Sequence, residues 1–184
     1  MSMNLLKYGD LPIINGTLVR LRPITEADTA DIVRWRNDPD VQQFFIFREP
    51  FTAQMHQNWL ENKVFPGHVI QYIIEEKASG KSVGSVYFRD IDRHHESAEY
   101  GIFIGEAQAR AKGFGSETAK LFTNFGLDVL RLHRISLRLL AGNSAAQHSY
   151  EKAGFVTEGL FNDMVKLDEK FTDILFMAKL REEN

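Results

Sequence analysis

Glu99-Tyr100-Gly101-Ile102-Phe103-Ile104, followed after Gly105 to Ala109 by Arg110-Ala111-Lys112-Gly113-Phe114-Gly115, reads as a strand running into the start of a helix. Two glycines at this spacing let the backbone curl with no Cβ in the way, so successive amides can face one point. The positive end of the following helix adds to them, which makes a seat for a pyrophosphate. Arg110 and Lys112 add formal charge; the bland alternative is an ordinary glycine-rich turn. Two better-known phosphate loops fail here. Gly80-Lys81-Ser82 has Glu75 where a P-loop needs its first glycine, and Thr118 stands where a dinucleotide fingerprint needs its third.

Working outward, a helix continues from Gly113 to Leu130 with Ala119, Phe122, Phe125, Gly126 and Val129 on one face. Upstream, Val69 to Glu75 and Ser82 to Ile91 form a hairpin about Ser79-Gly80-Lys81, and Ala98 to Ile104 follows a turn at Asp92 to Glu96. Before them stand a strand, Thr17 to Arg22, and a helix capped by Thr25 that Asn37-Asp38-Pro39 stops. The aromatic run Phe44 to Phe51 leads to Thr52, which caps a second helix through Trp59 and Leu60. Downstream come a strand, His133 to Leu140, a short helix from Asn143 to a left-handed cap at Gly154, and strands near Phe155 to Val165 and Phe171 to Leu180. The order is strand, two helices, three antiparallel strands, helix, strand, helix, two strands. That is an α/β domain with a central mixed sheet.

A second signal lies about thirty residues beyond the loop, in Asn143-Ser144-Ala145-Ala146-Gln147-His148-Ser149-Tyr150-Glu151-Lys152-Ala153-Gly154-Phe155. Arg110 to Gly115 resembles the Q/R-x-x-G-x-G/A pyrophosphate loop of the GNAT superfamily of N-acetyltransferases. The later segment resembles that superfamily's N-x-x-A-x-x-x-Y-E-K-x-G-F block. The likeness is greatest to the branch with ribosomal-protein N-terminal, polyamine and amino-sugar-nucleotide acetyltransferases. It implies a GNAT-like fold, a mixed and mostly antiparallel sheet flanked by helices, as one domain over residues 1–184 with its core at 17–181.

The resemblance also implies roles. Acetyl-CoA is the expected cosubstrate, with no metal. Ile102, Phe103 and Ile104 would splay from the strand His133 to Leu140 and offer backbone groups to the pantetheine arm. Amides of the loop, Arg110, Ala111, Lys112, Gly113, Phe114, Gly115 and Ser116, would hold the pyrophosphate, with Asn143 and Lys152 completing the cofactor contacts. Tyr150 would protonate the departing thiolate; outside the motif it reads as a core aromatic on an amphipathic helix. A tyrosine hydroxyl suits that task, because a thiolate leaves more easily once protonated. Glu99 is the candidate base for the amine, and Arg138 stands where some relatives carry a glutamate. Transfer would be direct, in a ternary complex, since the chain has no cysteine to carry the acetyl group.

The acceptor reads as a primary amine, either on a small molecule (an amino-sugar nucleotide or a polyamine) or at a protein N-terminus. Trp35-Arg36-Asn37-Asp38 resembles a stretch in the amino-sugar-nucleotide enzymes, where an aromatic and basic surface would suit a nucleotide, and Ile91 to Glu99 resembles the polyamine enzymes. A catalytically silent acyl-CoA-binding module is the alternative. His94-His95 lacks a third spaced ligand, His148-Ser149 point apart on a helix, and Arg131, Arg134 and Arg138 read as a solvated face.

Composition bounds these readings. Hydrophobic residues are 43% and charged ones 26% of 184, with fourteen Phe to build a core. Net charge −3 argues against broad nucleic-acid or anionic-membrane binding. No run approaches the ~18 apolar residues of a membrane span, and Met1 to Asp10 lacks the apolar core of a secretory signal. The expected setting is cytoplasmic, with a homodimer possible.

Overall fold

The computed structural model describes residues 6–182, so part of the stretch Met1 to Asp10 lies outside it. Eight strands form one sheet in the order β1-β2-β3-β4-β5-β6-β8-β7. They are β1 (Ile14–Asn15), β2 (Val19–Pro23), β3 (Ile70–Glu76), β4 (Ser82–Asp92), β5 (Ser97–Ile104), β6 (Arg134–Leu140), β7 (Val156–Leu167) and β8 (Lys170–Leu180). The helices are α1 (Thr29–Asn37), α2 (Pro39–Gln42), α3 (Ala53–Trp59), α4 (Phe114–Asn124) and α5 (Ser144–Lys152). All neighbouring strands are antiparallel except β5 and β6. Those two run parallel because α4 carries the chain across between them, the connection that parallel neighbours need.

The mixed, mostly antiparallel sheet with flanking helices is the architecture expected from the sequence, with one strand added. That strand, β1, has two residues, too few for alternation to register. Asn37-Asp38-Pro39 does stop α1, and it also starts α2. Asp38 accepts the Asp40 amide at 2.9 Å, and Pro39 sits where no backbone donor is needed. Gly154 takes φ +93° after α5, the left-handed cap.

The two faces of the sheet carry different cores. On one, α4 buries Phe114, Thr118, Ala119, Phe122 and Thr123, and Phe122 stacks on Phe88 of β4 at 4.3 Å between ring centres. Truncating so buried a ring to alanine costs about 3–5 kcal/mol. A π turn, Phe125–Val129, prolongs α4. Its Gly126 lies flat on the sheet: a Cβ there would fall 2.7 Å from the Phe88 ring. The wider turn also carries Val129 off the apolar face, leaving it 42% exposed where the sequence pattern placed it inward.

On the opposite face, α1 and α3 cover a second cluster around Trp35, Leu60, Ile73 and Phe103. Trp35 lies against Gly105, where a Cβ would come within 2.1 Å of the indole, and its Nε1 donates to Glu106 at 2.8 Å. Strand alternation puts Tyr100 in the first core and Phe103 in the second. The end of β5 is thereby gripped from both sides.

Candidate active site

β5 keeps its pairing with β4 as far as Ile104, opposite Gly84. With β6 it pairs only through Ser97, Ala98 and Glu99, while β6 stays paired to β8 through Leu140. From Tyr100 to Ile104 the edge of β5 that faces β6 therefore has no strand partner. Backbone polar groups inside a protein are rarely left so. A ligand with its own amides could lie along that edge as an added strand would. Ile102, Phe103 and Ile104 all fall on this stretch.

The open edge leads into the glycine loop. Ala111 takes φ +60° and Gly113 φ +84°, two left-handed residues that turn the chain sharply into α4. No side chain caps this helix, and its first intrahelical bond runs from the Glu117 amide to Gly113 C=O at 3.0 Å. The amides of Phe114, Gly115 and Ser116 thus stand at the positive helix end without intrahelical partners. A Cβ at Gly115 would meet only Ile104 Cγ1, at 4.0 Å, so this glycine keeps open a space that no protein atom fills.

The two charges expected there are less free than the sequence suggested. The Arg110 guanidinium donates to the carbonyls of Ile104 and Gly105 at 3.4 and 3.3 Å and lies near Asp38. Lys112 Nζ stands 3.8 Å from Glu76. The seat's attraction for an anion rests chiefly on its amides. A feature the sequence reading missed holds them in place. Glu117, one turn into α4, accepts the amides of Thr17, Leu18 and Val19, each at 2.8 Å. Gly16 must be glycine for this approach, since its Cβ would fall 2.8 Å from Glu117 Oε2.

Helix α5 is tied to the same place by Ser116 and Ser149, whose hydroxyls are 2.8 Å apart. Asn143 spends its Oδ1 on the Ala146 amide, capping α5, and Lys152 is exposed in the last turn. Tyr150 packs edge-on against Tyr100 at 6.0 Å and Phe155 at 5.9 Å between ring centres. Its hydroxyl makes no hydrogen bond among the described residues. Burial, and then the nearby Tyr87 phenol, push its pKa above the ordinary tyrosine range. The Tyr100 hydroxyl is fully buried and also unpartnered. A buried donor left over beside a bare strand edge fits a site completed by a polar ligand.

On the α1 side of the sheet lies Tyr87, which sequence reading passed over. It sits opposite Gly101 in the hairpin register, and a Cβ at Gly101 would come 2.5 Å from its hydroxyl. Pairing β4 with β5 residue by residue was the signal that could have found it. Beside it, Glu99 is held by two arginines. Arg89 Nη2 reaches Oε1 at 2.5 Å, and Arg138 donates to both carboxylate oxygens at 3.1 Å. Both oxygens of Glu99, the expected base, are thus engaged in charge-assisted bonds to arginine. Arg138 leaves the solvated face to which the sequence assigned it. Arg134 remains there, paired with Glu158.

The model of the acetyltransferase (GNAT) domain matches residues 19–156. The spermidine N(1)-acetyltransferase of Vibrio cholerae is 27% identical over 161 residues, covering 88% of this chain and 92% of that protein. That of Escherichia coli K12 is 30% identical over 142 residues, 77% of this chain and 74% of that protein. Among solved structures, a spermidine N-acetyltransferase from Vibrio cholerae in complex with CoA and spermine superposes with TM-score 0.83 at 23% identity, over 90% of this chain and 97% of that one. With its open strand edge, glycine loop and tyrosine helix in the family's order, this chain belongs to the GNAT acetyltransferase family.

Proposed function

We propose that the chain transfers the acetyl group of acetyl-CoA to a primary amine of a small molecule, by direct attack in a ternary complex. One observation carries this reading. The bare edge of β5 runs into a seat of unpaired helix amides, and Tyr150, with a free hydroxyl, is tethered to that seat through Ser149 and Ser116. In this reading the amides of Lys112 to Ser116 hold the diphosphate. The edge at Ile102 to Ile104 and the side-chain Nδ2 of Asn143 face the pantetheine arm, and Lys152 lies at the rim. The neutral amine attacks the thioester carbonyl, the carbon–sulfur bond breaks, and the Tyr150 proton passes to the thiolate. The attacking nitrogen sheds its extra proton to solvent, and Tyr150 takes one back from solvent once CoA leaves.

The acceptor class follows less directly. Relatives that act on spermidine favour a polyamine as a second, narrower reading. A CoA-release assay with spermidine, amino sugars, amino-sugar nucleotides and an N-terminal peptide tests both. Release above the hydrolytic background with any small-molecule amine supports the proposal. Release with the peptide alone, or with nothing while acetyl-CoA binds normally, would remove it.

A further inference from the structure

The α1 side of the open edge holds more positive charge than it can neutralise. Arg89 and Arg138 share the single carboxylate of Glu99, and among the described residues the one further acid within ion-pair distance of either is Asp90, 3.6 Å from Arg89 and well exposed. Arg36 has no carboxylate within ion-pair distance among the described residues. Its guanidinium lies between the rings of Phe45 and Phe51, 4.9 and 4.7 Å from their centres. It forms no hydrogen bond or ion pair among the described residues, and its Nε is buried without a partner.

Arg36 stands close to the reacting end of the site. Phe45 packs on Phe103 of the open edge at 5.5 Å. Burial, and then repulsion from the nearby Arg89, hold the Arg36 guanidinium below its ordinary pKa. Aromatic faces offset part of the cost of withdrawing a guanidinium from water. They leave its planar fork of donors unused, and that fork matches a carboxylate or phosphate.

We propose that the acceptor amine carries an anionic group, a phosphate or a carboxylate, which Arg36 binds with Arg89 beside it while the amine reaches the open edge of β5. The inference rests on the acetyl-transfer reading of the same site and narrows its substrate class. A polyamine would bring further cations to a patch already in excess of them.

The test uses the whole chain and matched acceptors: glucosamine against glucosamine 6-phosphate, cadaverine against 6-aminohexanoate, an amino-sugar nucleotide, and spermidine. The expected result is kcat/KM at least tenfold higher for the anionic member of one pair, which also tells phosphate from carboxylate. Arg36→Gln should shrink that anionic-to-neutral ratio at least tenfold, mostly through KM, and Arg36→Lys should restore part of it. Thermal melts with and without acetyl-CoA establish that each variant is folded and binds its cosubstrate. Spermidine as the best acceptor, or a ratio that Arg36→Gln leaves unchanged, would overturn the inference and leave acetyl transfer standing. No acetylation of any amine by the folded, acetyl-CoA-bound wild type would overturn both.

Discussion

Tyr150→Phe deletes one oxygen and keeps the ring that packs on Tyr100 and Phe155, so folding and acetyl-CoA affinity should hardly change. If the hydroxyl protonates the thiolate, kcat falls by roughly 10²–10⁴-fold, equivalent to about 3–5 kcal/mol of barrier. Steady-state kinetics with calorimetric titration of acetyl-CoA separates the cases. A loss of turnover alone marks the acid, whereas equal loss of binding and turnover would make Tyr150 a binding residue. A silent acyl-CoA-binding module would show no turnover to lose. The two loop glycines differ at the same scale. Gly113 sits at φ +84°, where a side chain costs about 1–3 kcal/mol, so Gly113→Val should weaken the fold as well as the site. At Gly115 an added Cβ meets nothing in the protein closer than Ile104 Cγ1, at 4.0 Å. Gly115→Val should melt within a few degrees of wild type yet lose the thermal shift given by acetyl-CoA. A normal shift in Gly115→Val would place the diphosphate elsewhere.

Helix α4 owes its position to Glu117, whose carboxylate takes three backbone amides beside β2. Hydrogen bonds to a charged group contribute about 1.5–3 kcal/mol, so Glu117→Ala should cost roughly 2–3 kcal/mol in urea unfolding and weaken acetyl-CoA binding by loosening the seat. A stability change within error would mean that packing alone fixes the helix. On the other face, His56 of α3 is 1% exposed and bonded through Nδ1 to Thr29. Burial pushes its pKa down to about 4, against ~6.5 in an unfolded chain. A depressed folded value means that the unfolded state binds the proton first. The contribution is complete above pH ~6.5 and is lost as pH falls toward about 4, reaching about 3 kcal/mol. His56→Gln should flatten the loss of stability between pH 7 and 4; an unchanged slope would assign it to the carboxylates. These contacts also show what could be read beforehand. The glycine loop, the caps at Thr52 and Gly154, and the Tyr150 block are local, so neighbouring letters carry them. Glu117 meets residues about a hundred positions away, and Arg36, Arg89 and Arg138 come from α1, β4 and β6. No spacing in the sequence brings those together. Only the register of the sheet does.

The whole sheet is two halves, β1 to β5 and β6, β8, β7, joined by three paired residues of β5 and β6 and by the helices over that seam. The halves also share one hydrophobic core and the Arg138–Glu99 and Arg181–Glu96 pairs, and a ligand laid along the open edge of β5 would add contacts across the stretch of seam where the strands part. Acetyl-CoA at ~100 times its dissociation constant should stabilise the fold by about 2.7 kcal/mol. For a chain of this length that is a rise in melting temperature of roughly 5–11 °C. The rise alone would not locate the ligand, because any tight binder gives it. Hydrogen exchange supplies the location. Amides of β5 between Tyr100 and Ile104 that face β6, with those of Lys112 to Ser116, lack strand or helix partners and should exchange fast in the free protein. Acetyl-CoA should slow these two segments before any others, while β3 and β8, already paired on both sides, change only as global stability rises. Protection spread evenly over the chain, or concentrated away from both segments, would mean that the cofactor does not occupy the gap between β5 and β6, and the assignment of that gap would fall with it.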